Sequence, residues 1–118
     1  LGASSETSAR AAIAAGRQGA YRIFARRLQR TSLVPTEGYL REVAQFAGID
    51  ADRLFADMAS DVTTRELRTS AALVRRFAFP GTPALIVGRT IVVGTIWRAT
   101  LEELIASELS AGPPPGCQ

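Results

Sequence analysis

A proline set directly against an apolar strand constrains this chain more than any other feature. In Phe79-Pro80-Gly81-Thr82-Pro83-Ala84-Leu85-Ile86-Val87-Gly88, Pro80 and Pro83 fix φ on either side of Gly81-Thr82, and Pro83 removes an N–H at the mouth of the strand. A Thr-Pro bond in such a place is a candidate cis peptide, a geometry confined almost wholly to X-Pro bonds and typical of tight turns. Residues 84–87 and 91–93 read as two short strands joined around Gly88-Arg89, a hairpin. Neither strand alternates apolar with polar, so both faces are expected to be covered, as in the interior of a layered sheet. Two such strands are marginal alone in water; the rest of the sheet is expected from another chain or from residues before Leu1.

Upstream, the pattern is helix after helix. Ser4 and Ser5 offer an N-cap, with Glu6 in the first turn, for a helix that carries Ala9, Ala12 and Ile13 and runs to about Ala15. Gly16 and Gly19 bracket a break, after which Tyr21, Phe24, Ala25 and Leu28 stripe a second helix ending near Arg30. Thr36, following Pro35, caps a third helix whose apolar face is Leu40, Val43, Ala44 and Ala47, with Gly48 as its stop. Asp50 opens a short fourth helix with Leu54, Phe55 and Met58 on one side.

Ser60 or Asp61 opens a longer fifth helix. Its wide stripe, with Leu67, Ala71, Val74 and Ala78 beside Ser70, Leu73 and Phe77, predicts packing on two sides and a stop at Pro80-Gly81. After the strands, Thr100 and Glu103 form a capping box for a final helix carrying Leu101, Leu104 and Ile105. Trp97 is expected to be partly buried, anchoring that helix. The expected organisation is a helical subdomain over residues 4–79, a hairpin with a C-terminal helix over 80–110, and a Pro/Gly-rich tail over 111–118.

The residue inventory narrows the chemistry. Without histidine there is no Ser-His or Cys-His pair and no imidazole ligand, so neither a metal nor another cofactor is expected. Asp50, Asp52, Asp57 and Asp61 fall at helix starts and on exposed faces, where capping explains them. Gly81 and Gly88 flank a strand instead of opening a helix, which is not the layout of a phosphate-binding loop. The basic side chains are all arginine, and the formal charge is +3. Arg22, Arg26 and Arg30, with Arg27 alongside, form a stripe that could face phosphates; the plain alternative is a solvated face opposite Tyr21, Phe24 and Leu28. No recognition motif or stacking surface accompanies the stripe, so nucleic acid is not an expected partner. No apolar run approaches the roughly 20 residues of a membrane span. The single cysteine, Cys117, lies in the tail and can form no internal disulfide; interchain pairing, a free thiol or an incidental residue are the alternatives. The chain begins Leu1-Gly2 without an initiator Met, and Leu1 is expected not to be the native start.

A helical block, then Gly81-Thr82-Pro83, a hairpin, Gly94 and a terminal helix: this order resembles the DsbA family. The resemblance covers residues 1–109. It is carried by residues 5–15 with Gln18-Gly19 and Tyr21 to Phe24, by Val43-Ala44 with Ala47-Gly48-Ile49-Asp50, by Phe55 and Asp57, and by Phe79-Pro80-Gly81-Thr82-Pro83 running on to Gly94. It implies an α/β fold of thioredoxin-like, DsbA type, in which a helical subdomain is inserted into a thioredoxin fold that exchanges disulfides with protein substrates. On matching positions, Pro83 would be the cis-proline facing the redox site. Thr82 would offer backbone N–H and C=O groups to an extended substrate by strand addition. Gly81 would let that backbone approach closely.

The family nucleophile is the first cysteine of a C-x-x-C at a helix N-terminus, where unpaired N–H groups stabilise the thiolate. This chain has no C-x-x-C, and Cys117 cannot replace it. In the family that motif lies upstream of the region matching Leu1, together with the first strands and the active-site helix. The implied fold is therefore incomplete, and no catalytic residue is expected within these 118 residues. Two readings follow. One is a portion of a disulfide oxidoreductase of the bacterial periplasm or cell envelope, acting on protein thiols and disulfides through Gly81, Thr82 and Pro83. The other is a non-catalytic thioredoxin-like module for peptide binding or dimerisation, with a homodimer or strand exchange completing the sheet. Glutathione-linked relatives of the same fold commonly resemble Gly-Val-Pro at this loop, where the present chain has Thr82.

Overall fold

The computed structural model describes residues 2–113, 115 and 116; Leu1 and Cys117, and the expectations placed on them, lie outside the described residues. The elements in chain order are α1 (Ala3–Gly16), α2 (Tyr21–Arg30), α3 (Glu37–Ala47), α4 (Ala51–Ala59), α5 (Asp61–Arg76), β1 (Ala84–Val87), β2 (Thr90–Val93) and α6 (Arg98–Ser110). The chain divides into two compact units, Leu1–Ala72 and Leu73–Gln118.

Local chemistry sets the helix boundaries of the first unit. Thr36 Oγ1 accepts from the Tyr39 N–H at 3.3 Å and Asp50 Oδ1 from the Arg53 N–H at 2.9 Å, each side chain satisfying a first-turn donor that has no partner within its helix. Gly48 ends α3 in the left-handed region at φ 69°, its N–H donating to the Gln45 carbonyl at 3.1 Å. The start of α1 differs from the expectation. Extended Gly2 is its N-cap and no side chain caps it, while Ser4 and Ser5 already lie inside the first turn. The Gly2 carbonyl accepts from the N–H groups of Ser5 and Glu6 at 3.0 and 3.1 Å, so the helix begins one residue before the first serine.

The core of this unit is small-residue against large. Ala11, Ala14 and Ala15 of α1 are buried together with Phe24 of α2, Leu40, Val43 and Ala44 of α3, and Leu54 of α4. Alanines on α1 let α2 and α4 pack closely on it, and the large side chains fill the space from the other helices. Polar bonds join α1 to the α4–α5 turn. Arg17 Nη1 donates to Thr63 Oγ1 at 2.6 Å, Thr63 Oγ1 donates to the Asp57 carbonyl at 2.6 Å, and Arg17 Nη2 pairs with Glu66 Oε2 at 2.9 Å. Thr63 is fully buried, and these partners are what allow a hydroxyl to sit there.

In the second unit, α5 ends at Arg76, before the expected Pro80-Gly81 stop. The cause is Ala78, which takes the left-handed region at φ 50°, while Phe79 N–H reaches back to the Val74 carbonyl at 3.4 Å. The two-sided packing expected of α5 is not found: Leu73, Val74 and Phe77 are exposed. β1 and β2 pair antiparallel with Ala84 opposite Val93 and Val87 opposite Thr90, around the Gly88-Arg89 turn. Both faces of this hairpin remain open, with Leu85, Ile86, Ile91 and Val93 exposed, where the apolar runs predicted covered faces. Helix α6 packs against β1. It starts at Arg98 with Trp97 as N-cap, so Thr100 and Glu103 sit within the helix and form no capping box. Trp97 itself is 86% exposed, correcting its expected role as a buried anchor.

Candidate functional site

Gly81, Thr82 and Pro83 are contiguous, exposed, and lead directly into β1. The Thr82–Pro83 peptide is cis. The Pro83 carbonyl accepts from the Gly94 N–H at 2.8 Å, which extends the ladder one rung beyond the Ala84–Val93 pair. Gly94 makes that turn at φ 87°, a conformation that disfavours any side chain, so the glycine is explained by backbone geometry alone. Gly81 is different. Its φ lies outside the left-handed region and a Cβ there would meet nothing within 4 Å, so nothing inside the described residues requires glycine.

The sheet has two strands among the described residues, so the edge of β1 facing away from β2 carries no partner. That edge runs on from exposed Thr82 and Pro83, and its N–H and C=O groups are of the kind a third strand would use. Phe77 and Phe79 stack just before the loop, centroids 5.8 Å apart and planes at 17°.

The far end of the hairpin is held by a residue that sequence reading passed over. Glu108 of α6 accepts from the Arg89 N–H through Oε2 and from the Thr90 hydroxyl through Oε1, both at 3.1 Å, with Arg89 Nε 3.4 Å away. The Arg89 backbone N–H, more than the Thr90 hydroxyl or the guanidinium, holds this carboxyl below the usual glutamate range. Gly88, at φ 57°, lies so close to the carboxylate that a Cβ there would collide with it. The only signal in the sequence is one acidic residue, Glu108, between Ile105 and Leu109.

Asp50 and Asp52 behave as local chemistry predicts, whereas Asp57 departs from the expectation: it lies in the last turn of α4, half-buried, with an Oδ2 that has no hydrogen-bond partner among the described residues. Asp50 caps α4, Asp52 pairs with Arg41 at 3.1 Å, and Asp57 lies 3.7 Å from Arg53. Asp52 first and Glu37 second hold the Arg41 guanidinium above its ordinary range. Among the described residues there is no group of three or more His, Cys, Asp or Glu side chains that could hold a metal ion. No helix among them is long and apolar enough to cross a membrane.

Helices α1 to α5, the β1–β2 hairpin and α6 give a thioredoxin-like fold of the DsbA type. The chain belongs to the family of DSBA-like thioredoxin domains, whose model matches residues 1–106. A thioredoxin-like oxidoreductase from Silicibacter pomeroyi DSS-3, known from its crystal structure, is similar at a TM-score of 0.82 and 31% sequence identity. The similarity covers 95% of this chain and 65% of that one, so the present chain spans about two thirds of that oxidoreductase. No curated protein matches the chain.

Proposed function

We propose that this chain supplies the substrate-holding side of a thiol–disulfide oxidoreductase acting on protein substrates outside the cytoplasm. The observation that carries the reading is the exposed Gly81-Thr82-Pro83 segment at the open edge of β1, in a chain of the DSBA-like family. An extended substrate segment would pair its backbone with Thr82 and be held beside a C-x-x-C that these residues do not contain. In such an exchange a substrate thiolate attacks the disulfide of the C-x-x-C, giving a mixed disulfide. A second substrate thiolate then attacks that bond, leaving an oxidised substrate and a reduced dithiol.

The exposed apolar faces of the hairpin and the span of about two thirds of the Silicibacter oxidoreductase support placing the cysteines in residues that precede Leu1 in a longer protein. The test is to read the coding sequence before Leu1 and to assay oxidation of a reduced, unfolded model substrate. A C-x-x-C upstream, activity in the longer protein and loss of substrate affinity on Thr82→Pro, which removes the backbone donor, are expected. No cysteine pair anywhere in the full gene would overturn the reading.

That last result would favour the second reading, a non-catalytic module for peptide binding or dimerisation. The open hairpin faces are the observation on its side. Under it, sedimentation of the full chain shows a concentration-dependent dimer.

A further inference from the structure

We infer that the first unit carries a second binding site, a basic and aromatic groove that takes an acidic peptide segment bearing an apolar side chain. The groove has a volume of about 620 Å³ and is lined by Ile23, Arg26, Arg27 and Arg30 of α2 and by Tyr39 and Phe46 of α3. That volume lies within the roughly 300–1,000 Å³ usual for ligand pockets. No carboxylate lines it. Helix α2 holds four arginines and no acidic residue. Among the described residues none of the four has a carboxylate partner, and of the other arginines without one, Arg65, Arg68, Arg75, Arg76 and Arg98, none lines this groove.

A merely solvated face would spread its charge over a convex surface. Here three of the four arginines line one concavity, which they share with two aromatic side chains, Tyr39 and Phe46. The Arg27 guanidinium lies 4.0 Å from the centroid of the Phe46 ring, and Phe46 is 66% exposed. Stacking holds the planar group by its face and leaves its N–H edge free, the orientation in which arginine forks a carboxylate. Arg26 and Arg30 are one turn apart on the same side of α2, so two side-chain carboxylates of one peptide can be met together. Ile23, Tyr39 and Phe46 offer the apolar complement between them.

The bounded shape is what favours a peptide. A single nucleic-acid strand is tracked along an extended groove, and Arg22, the continuation of the arginine stripe, is not part of this one. A lipid surface is met by an apolar helix face that can insert, and here the apolar residues are spread over two helices with three arginines among them.

The site is tested by fluorescence anisotropy of the full chain with a labelled peptide of glutamate and phenylalanine residues. A lysine-for-glutamate twin, a single-stranded oligonucleotide and phosphatidylserine vesicles serve as competitors. Saturable, salt-sensitive binding of the acidic peptide alone is expected. It should weaken about tenfold or more in Arg26→Gln/Arg30→Gln, less in Phe46→Ala, and hardly at all in Arg22→Gln, which removes a charge from the same helix outside the groove. Far-UV circular dichroism confirms that these exposed substitutions leave the helices formed. Absent binding, equal weakening by Arg22→Gln, or tighter binding of the oligonucleotide or vesicles would overturn the inference. The readout involves no redox step, so it is independent of whether the disulfide chemistry proposed above is found.

Discussion

The two units of this chain bury their residues in opposite ways. Every buried residue among those described lies between Ala11 and Thr63, in the first unit, and the second unit has none. Yet the second unit is rich in apolar side chains: Leu85, Ile86, Ile91 and Val93 on the hairpin and Ile105 and Leu109 on α6 all stand exposed. The helical unit builds a core of its own, with Phe24, Leu40 and Leu54 packed into the alanine face of α1, while Ile23 and Phe46 stay exposed at the groove between α2 and α3. The hairpin unit pairs its backbone and braces its turn through Glu108, yet buries none of its apolar side chains among the described residues. The buried core thus lies in one stretch of sequence only, the first unit.

The largest expected contrast comes from trimming one residue in each unit. Phe24→Ala, in a fully buried position, should cost about 3–5 kcal/mol, whereas Leu85→Ala, on the open hairpin, should change stability by less than about 0.5 kcal/mol. Urea unfolding followed by far-UV circular dichroism measures both, and similar losses would erase the distinction between the units. Thr63→Val comes next. It removes the hydroxyl that joins Arg17 to the Asp57 carbonyl, at an expected cost of about 1–3 kcal/mol, with Thr63→Ser recovering part of it.

Smaller effects sharpen the hairpin side. Gly88→Ala forces a side chain into the left-handed region, at about 1–2 kcal/mol, and pushes it against Glu108. Faster amide exchange across β2, with the helices of the first unit unaffected, is the expected signature. The smallest effect is a pH dependence. Because folding lowers the Glu108 pKa, its contribution is complete above the unfolded glutamate value and is lost as pH falls through the folded one. The Arg89 amide resonance should therefore titrate below the ordinary glutamate range, and Glu108→Gln should abolish that titration.

Helix existence was legible wherever the determining atoms are close in sequence. Thr36 and Asp50 cap their helices through the N–H three residues on, Gly48 stops α3 through its own φ, and the hairpin turn falls at Gly88-Arg89. Expectations failed where an end had more than one local solution. Ser4 was passed over for Gly2, whose carbonyl accepts from the Ser5 and Glu6 N–H groups, and Thr100 for Trp97, whose carbonyl accepts from the Leu101 N–H. They failed again where burial had to be guessed. The α5 stripe and the hairpin faces carry the sequence of covered surfaces, and covering is supplied by neighbours that a pattern cannot name. Of the candidate site, the loop Gly81-Thr82-Pro83 was readable as a segment. Its tie to Gly94 follows from pairing register, and the Glu108 brace joins residues 18 and 19 apart, outside any local motif.

Trp97 gives the open unit an optical reporter of its own. It is the chain's single tryptophan and stands almost bare at the first turn of α6. Its emission should therefore be that of an indole in water, readily quenched by acrylamide, and insensitive to events confined to the helical core. Any covering of that surface, by a second copy, by a peptide or by further residues of a longer protein, would shift the emission to the blue. Occupancy of the hairpin unit could then be followed in real time without a label.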